Sequence, residues 1–147
     1  MDPGTELDII VAKFLGYEVK PLKDWLSSEK GGPWWPAHDR NEVVMTVWLV
    51  EDPEDRVASI EAKYPEGENG EWTPYLIPKY STQIHKAWPV FLEIRKKYLW
   101  ATVGEKEVAL KIEDWSYPER AKNLIIGKDA PHAIALAAKK IWEEKNP

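Results

Sequence analysis

The sequence predicts an α+β fold, and three observations lead to this prediction. Residues 43–50, VVMTVWLV, are β-branched and apolar on both faces, which is typical of a central strand. Residues 79–100 carry apolar side chains three and four positions apart, the spacing of an amphipathic helix. The segment after Asp129 and Pro131 repeats that spacing. Helices packed on a mostly antiparallel sheet are therefore expected, within one domain that spans residues 1–147.

The N-terminal segment has the pattern of a helix start. Thr5 and Asp8 are spaced as a capping box, with a hydroxyl cap and an acid three residues later. The helix is expected over residues 6–15, and Gly16 is expected to end it in a left-handed conformation. Residues 17–25 are predicted to be short and extended, because Pro21 prevents a continuing helix.

The central strand needs a neighbour, and residues 57–64 are the nearest candidate. Alternating apolar residues favour a hairpin with residues 43–50, whereas Pro53 after Asp52 is also compatible with a helix start. Residues 72–77 are expected to add at most a short edge strand. Further along, residues 99–103 and 107–113 flank a turn that contains Gly104 and are expected to form a second hairpin.

The amphipathic helix between these strand segments is predicted to bury one apolar stripe against the rest of the fold, and Pro89 within it predicts a kink. The stripe consists of Ile84, Trp88, Phe91, Leu92 and Leu99, with Arg95 in the same spacing. Residues 114–128 are expected to be irregular, with a helical turn at 119–125. In the last helix Asp129 is the predicted N-cap and Pro131 lies in the first turn.

Composition excludes several classes of protein. The chain has no cysteine, which removes disulfides, thiol nucleophiles and iron–sulfur clusters. Its formal net charge of −5 disfavours binding to duplex nucleic acid. The acidic N-terminus is unlike a signal peptide, and no apolar run approaches the roughly 18 residues of a membrane span. A cytoplasmic protein without a membrane segment is expected.

No catalytic constellation is visible in the sequence. His38, His85 and His132 are too scattered to form a metal-binding motif, and serine does not occur in the GxSxG pattern of acyl-transfer enzymes. A P-loop and the GxGxxG motif are also absent. The sequence therefore predicts a protein that is not an enzyme and that has no metal and no cofactor.

The tryptophan content is unusual, because the chain has nine where ordinary composition would give about two. Trp34, Trp35 and Trp72 lie in loops rich in glycine and proline, outside any periodic segment. Rings in such a place either cover the edge of the core or stack on a planar ligand. Both interpretations stay open from the sequence alone.

Several segments together resemble the phage ABA-sandwich domain family, a group of small phage and prophage proteins. The resemblance rests on residues 79–82 leading into Ala87 and Trp88, on the strand-like residues 100–103, and on residues 127–131 opening an alanine-rich helix. Gln83 and Pro89 depart from the family pattern. The resemblance implies a three-layer αβα sandwich and an accessory role in a host cell cytoplasm, without an assigned reaction.

A nucleotide-derived ligand is the leading functional hypothesis. Free backbone N–H groups at a helix start can hold a phosphate, and an indole can stack on a base. The predicted site consists of Trp34, Trp35, Arg40, Lys79, Tyr80, Ser81, Thr82 and Lys128. Since phage accessory proteins include sponges that sequester host immune signals, the chain is predicted to be such a sponge, and to be a homo-oligomer. The alternative is a protein–protein interaction module or an inhibitor of a host protein, with surface tryptophans as interface anchors.

Overall fold

The computed structural model describes residues 1–27, 42–51, 58–60, 70–97, 100–111 and 124–147. The chain divides into two compact units, one formed by residues 1–15 and 78–147 and the other by residues 16–77. The single-domain organisation stays a prediction.

The described residues form four helices and seven strands, which confirms the α+β class. The helices are α1 (Thr5–Phe14), α2 (Leu22–Leu26), α3 (Ile84–Lys97) and α4 (Ala130–Lys145). The strands are β1 (Glu18–Pro21), β2 (Val43–Glu51), β3 (Ala58–Ile60), β4 (Glu71–Leu76), β5 (Trp100–Val103), β6 (Glu107–Lys111) and β7 (Leu124–Ile126). None of the described helices has the length and apolar character needed to span a bilayer.

Strand β2 organises the unit of residues 16–77, as its sequence predicts. It pairs antiparallel with β1 over residues 43–46, with β3 over residues 49–51 and with β4 over residues 44–49. Val44, Met45 and Val47 are buried on the two faces of the strand. The pairing with β3 confirms the predicted hairpin for residues 58–60, while residues 57 and 61–64 lie outside the described part. The predicted edge strand is β4.

Trp72, which the sequence predicted as a loop ring without a burial partner, lies in strand β4 and forms a cross-strand aromatic pair that consolidates this sheet. Trp48 and Trp72 lie opposite each other on β2 and β4, with their ring centroids 5.2 Å apart in an edge-to-face arrangement. Gly70 lies against the Trp48 indole so closely that a Cβ there would be 2.6 Å from the ring. The glycine is therefore required by packing.

The unit of residues 1–15 and 78–147 is built around α4. This helix packs against α1, α3, β6 and β7, and β6 is the middle strand of an antiparallel sheet with β5 and β7. Ala137 and Ala138 of this helix are fully buried. The helices contribute most of the unit's core, which includes Leu7, Val11, Ala87, Val90, Phe91, Ile94, Val108, Ile134, Ala137, Ala138 and Ile141.

Three local predictions are corrected by the structure. The N-cap of α1 is Gly4 and no side chain caps the helix, so the capping box of Thr5 and Asp8 does not form. Leu124 and Ile125 belong to strand β7 and not to a helical turn, because this segment adds to the edge of β6. Residues 22–26 form the short helix α2 instead of continuing the extended segment.

The described strands form two antiparallel sheets, where one sheet was expected. Strands β1 to β4 belong to the first sheet and β5 to β7 to the second, and no pairing joins them among the described residues. The three-layer αβα sandwich therefore stays a prediction. The predicted hairpin of β5 and β6, the left-handed Gly16 (φ 88°) and the Asp129 cap of α4 are confirmed.

Candidate functional site

Three of the predicted site residues, Trp34, Trp35 and Arg40, lie outside the described residues. The other five belong to the unit of residues 1–15 and 78–147. Lys79, Tyr80, Ser81 and Thr82 form the turn before α3, and Lys128 lies two residues before α4. In this turn Tyr80 and Ser81 are buried, whereas Lys79 and Thr82 are exposed.

Ser81 connects the turn to the start of α1. Its hydroxyl oxygen accepts a hydrogen bond from the Gly4 N–H at 2.9 Å. Its own N–H donates to Oδ1 of Asp8 at 2.7 Å, and its hydroxyl also hydrogen-bonds to that carboxyl. Ser81 is fully buried. The predicted phosphate-binding N–H is therefore already paired with a carboxylate of the chain itself.

Asp8 is the most unusual titratable group in this part of the molecule. It is only 5 % exposed, and its burial raises the pKa of the carboxyl above the ordinary value of 3.8, although the hydrogen bonds from Ser81 and the nearby Lys79 charge act in the opposite direction. The ionised carboxylate is therefore costly to bury. A phosphate next to it would be repelled.

The start of α4 is joined to the N-terminal segment by a second set of contacts. Nζ of Lys128 forms an ion pair with Asp2 at 3.1 Å, and this hydrogen-bonded cation lowers the pKa of the Asp2 carboxyl. Both side chains are largely exposed. The Asp129 side chain accepts the N–H of His132 at 3.0 Å, as an N-cap should.

The His132 ring is fixed by backbone groups on both sides. Nδ1 accepts the N–H of Lys128 at 2.9 Å, so the proton lies on Nε2, which is 2.8 Å from the Met1 carbonyl oxygen and donates to it. The buried imidazole thus holds the chain in place and has no free nitrogen for base catalysis. Within the described ranges, no group of three or more histidine or acidic residues could hold a metal ion.

A different kind of site is formed by the exposed apolar side chains of α3, and we call Ile84, Trp88 and Leu92 the outer face of this helix. They are 49 %, 44 % and 42 % exposed, and a spacing of four residues places them in one row. This corrects the sequence prediction, in which the same residues were expected to be buried. Phe91 is buried as predicted and forms the buried side of α3 together with Ala87, Val90 and Ile94, whereas Leu99 of the predicted stripe lies outside the described residues.

The indole of Trp88 packs on the buried ring of Phe91. Its ring centroid lies 5.3 Å from that of Phe91, with the two planes inclined by 36°, and Phe91 is only 3 % exposed. An aromatic ring that already packs on the core loses little conformational freedom when a partner covers it. Helix α3 continues through Pro89, which is exposed, so that the His85 carbonyl left without an N–H donor lies on the solvent side.

Comparison with known proteins gives no relative. A scan against protein-family models and searches of curated proteins and of solved structures found no match. The resemblance to the phage ABA-sandwich family therefore stays a prediction. So do the predicted sponge activity, the absence of catalysis and the homo-oligomer.

The sequence predicts the turn before α3 but not the hydrogen bond between Ser81 of this turn and Asp8. Asp8 was placed in a capping box four residues long, whereas its partner is Ser81, 73 positions away. The available signal was Asp8, an acid that directly follows Leu7 on the apolar side of α1. The outer face of α3 was missed because the apolar positions of this helix cover more than one side.

Proposed function

We propose that the chain is a non-enzymatic protein-interaction module that binds another protein through the outer face of α3. The observation that carries this proposal is the position of Trp88, exposed on the surface between Ile84 and Leu92 and supported by buried Phe91. Tryptophan is enriched among the few residues that dominate binding energy at interfaces.

The spacing of the outer face supports this proposal. Side chains at positions i, i+4 and i+8 form the row that a helix presents to a groove on a partner. Full burial of each apolar side chain contributes about 1.5–3 kcal/mol, and these three are now only about half covered. A row of this kind on a helix already packed on α4 is pre-organised for docking.

A photo-cross-linking amino acid at position 85 tests the proposal. His85 is exposed and neighbours Ile84, so a partner on the outer face lies within reach of a benzophenone there. We expect a discrete protein adduct in the cells that make the chain. Replacing Trp88 with alanine is expected to weaken binding by about 30-fold, since truncating a central anchor costs about 2 kcal/mol.

The matched control carries the same cross-linker at position 6, where Glu6 is exposed on α1. It is expected to give no such adduct. Thermal unfolding of the Trp88→Ala protein shows whether it is still folded, as expected for a side chain outside the buried core. An adduct that survives this substitution, or no adduct from position 85, would rule out the outer face as the binding surface.

A second candidate function is the binding of a nucleotide-derived ligand, as in the sponge hypothesis. It is favoured by the exposed Lys79 and Thr82 directly before α3, with Lys128 as a further surface cation. Ser81 is excluded as a phosphate donor in this proposal, because its N–H is paired with Asp8.

Thermal unfolding in the presence of cyclic dinucleotides and ADP-ribose tests this second candidate. A ligand that binds only the folded chain stabilises it by about 2.7 kcal/mol at a concentration of 100 times its Kd. The shift should be lost in a Lys79→Ala/Thr82→Ala variant and kept in the matched control Lys23→Ala/Ser27→Ala, which alters an exposed pair on α2 and just after it. An unchanged melting temperature across the panel would remove this candidate.

A further inference from the structure

We infer that the partner of the outer face is a protein whose apolar groove ends in a carboxylate, which pairs with Arg95. This inference rests on the proposed function and specifies its partner. It begins from the charge of α3, which carries Lys86, Arg95, Lys96 and Lys97 and a single acid, Glu93, within a chain of formal net charge −5. The helix is therefore a basic element in an acidic protein.

Arg95 lies at the end of the outer face. It follows Trp88 by seven residues, close to two helical turns, so its side chain leaves the helix on the same side as the indole. Arg95 is exposed and forms no ion pair among the described residues. Nζ of the neighbouring Lys96, in contrast, pairs with Oε1 of Glu93 at 2.8 Å.

A guanidinium that has no ion pair within the described part of the chain, beside an apolar row, defines the chemistry of a complementary surface. Arginine forms two parallel hydrogen bonds to one carboxylate, in a fixed geometry that lysine lacks. A partner that covers Trp88 and Leu92 would bring its own side chains next to Arg95. An acid there would be attracted by Lys96 as well, whereas a cation would be repelled.

The same charges disfavour two other occupants. If two copies of the chain paired through antiparallel α3 helices, Arg95 would approach the first turn of the second α3, which contains His85 and Lys86 and no acid. Parallel helices would place like charges beside each other. An anionic membrane would attract α3 but repel a chain with net charge −5. A protein groove with an acidic end is the occupant that fits.

Charge substitutions in the full-length chain with the cross-linker at position 85 test this inference. We expect Arg95→Glu to reduce the yield of the protein adduct by about tenfold, Arg95→Gln to reduce it less, and Arg95→Lys to restore part of it. Lys106→Glu, at an exposed position in the turn between β5 and β6, should leave the yield unchanged. When the cross-linking is carried out in a lysate of the cells that make the chain, raising the salt concentration of the lysate from about 0.05 M to about 0.5 M should also lower the yield of the adduct.

The possible failures are distinguishable. No protein adduct in the parent chain contradicts the proposed function itself. An adduct whose yield responds neither to Arg95→Glu and Arg95→Gln nor to salt leaves the interaction module in place and overturns the acidic partner. An adduct with twice the mass of the chain, together with a dimer in sedimentation, identifies a second copy and overturns the inference. Flotation of the chain with phosphatidylserine vesicles, without a protein adduct, identifies a lipid surface as the occupant and also overturns the inference.

Discussion

Replacing Gly127 with alanine is expected to lower the free energy of unfolding by about 3 kcal/mol, the upper part of the range for overpacking. A Cβ at this position would lie 2.6 Å from the backbone N of Ala133 and 3.0 Å from its Cα. These atoms belong to the first turns of α4 and cannot rotate away. The Gly127 N–H also donates to the Lys106 carbonyl at 2.8 Å, which holds the glycine from its other side.

Gly104→Ala is the matched control for this prediction. The Cβ there would be 3.2 Å from Cγ of Glu107, an exposed and flexible side chain that can move aside. The Gly104→Ala substitution is expected to change the free energy of unfolding by no more than about 0.5 kcal/mol, as ordinary surface substitutions do. Urea unfolding followed by circular dichroism measures both variants. Equal stabilities of the two would show that Gly127 is not held against α4.

Local chemistry explains which parts of the fold the sequence could predict. The β-branched run of β2, the glycine turn between β5 and β6 and the Asp129 cap each act through residues close together in the chain. Their physical causes are therefore written in short stretches of sequence. The partner of β2 on its other edge, β4, was predicted only as an edge strand, because strand pairing over a distance leaves little local signal.

Helix α3 shows why its outer face could not be predicted. Its apolar residues cover more than one side, so the sequence does not decide which side meets the core. Packing against α4 decides it, and in the folded chain Ala87 is buried while Trp88 is exposed. The outer face follows from that choice. Position in the chain alone could not have separated buried Phe91 from exposed Leu92.

A long-range contact also explains why the sequence could not predict the surroundings of the candidate ligand site. The sequence indicates a helix start near Ser81 with free N–H groups, which is a reasonable anion site in isolation. The fold brings Asp8 to that N–H, and the carboxylate then takes the place predicted for a ligand phosphate. No local pattern joins two residues that are 73 positions apart.

Replacing Asp8 with alanine is expected to lower the free energy of unfolding by about 2 kcal/mol, because the buried N–H of Ser81 would lose its acceptor. Asp8→Asn keeps an oxygen acceptor and removes the buried charge. It is therefore expected to be at least as stable as the parent chain wherever the parent carboxyl is ionised. Glu6→Gln, which changes an exposed acid on the same helix, is the matched control and should have little effect.

The pH dependence of these variants identifies the buried charge as the cause. Because the pKa of Asp8 is raised in the folded state above 3.8, the folded chain binds this proton more tightly than the unfolded chain. Its stabilising contribution is complete below pH 3.8 and is lost as the pH rises through the folded-state pKa. Urea unfolding at several pH values should show the parent chain losing stability relative to Asp8→Asn over that window, but not relative to Glu6→Gln. A constant difference between the parent and Asp8→Asn would mean that the pKa of Asp8 is not raised in the folded state.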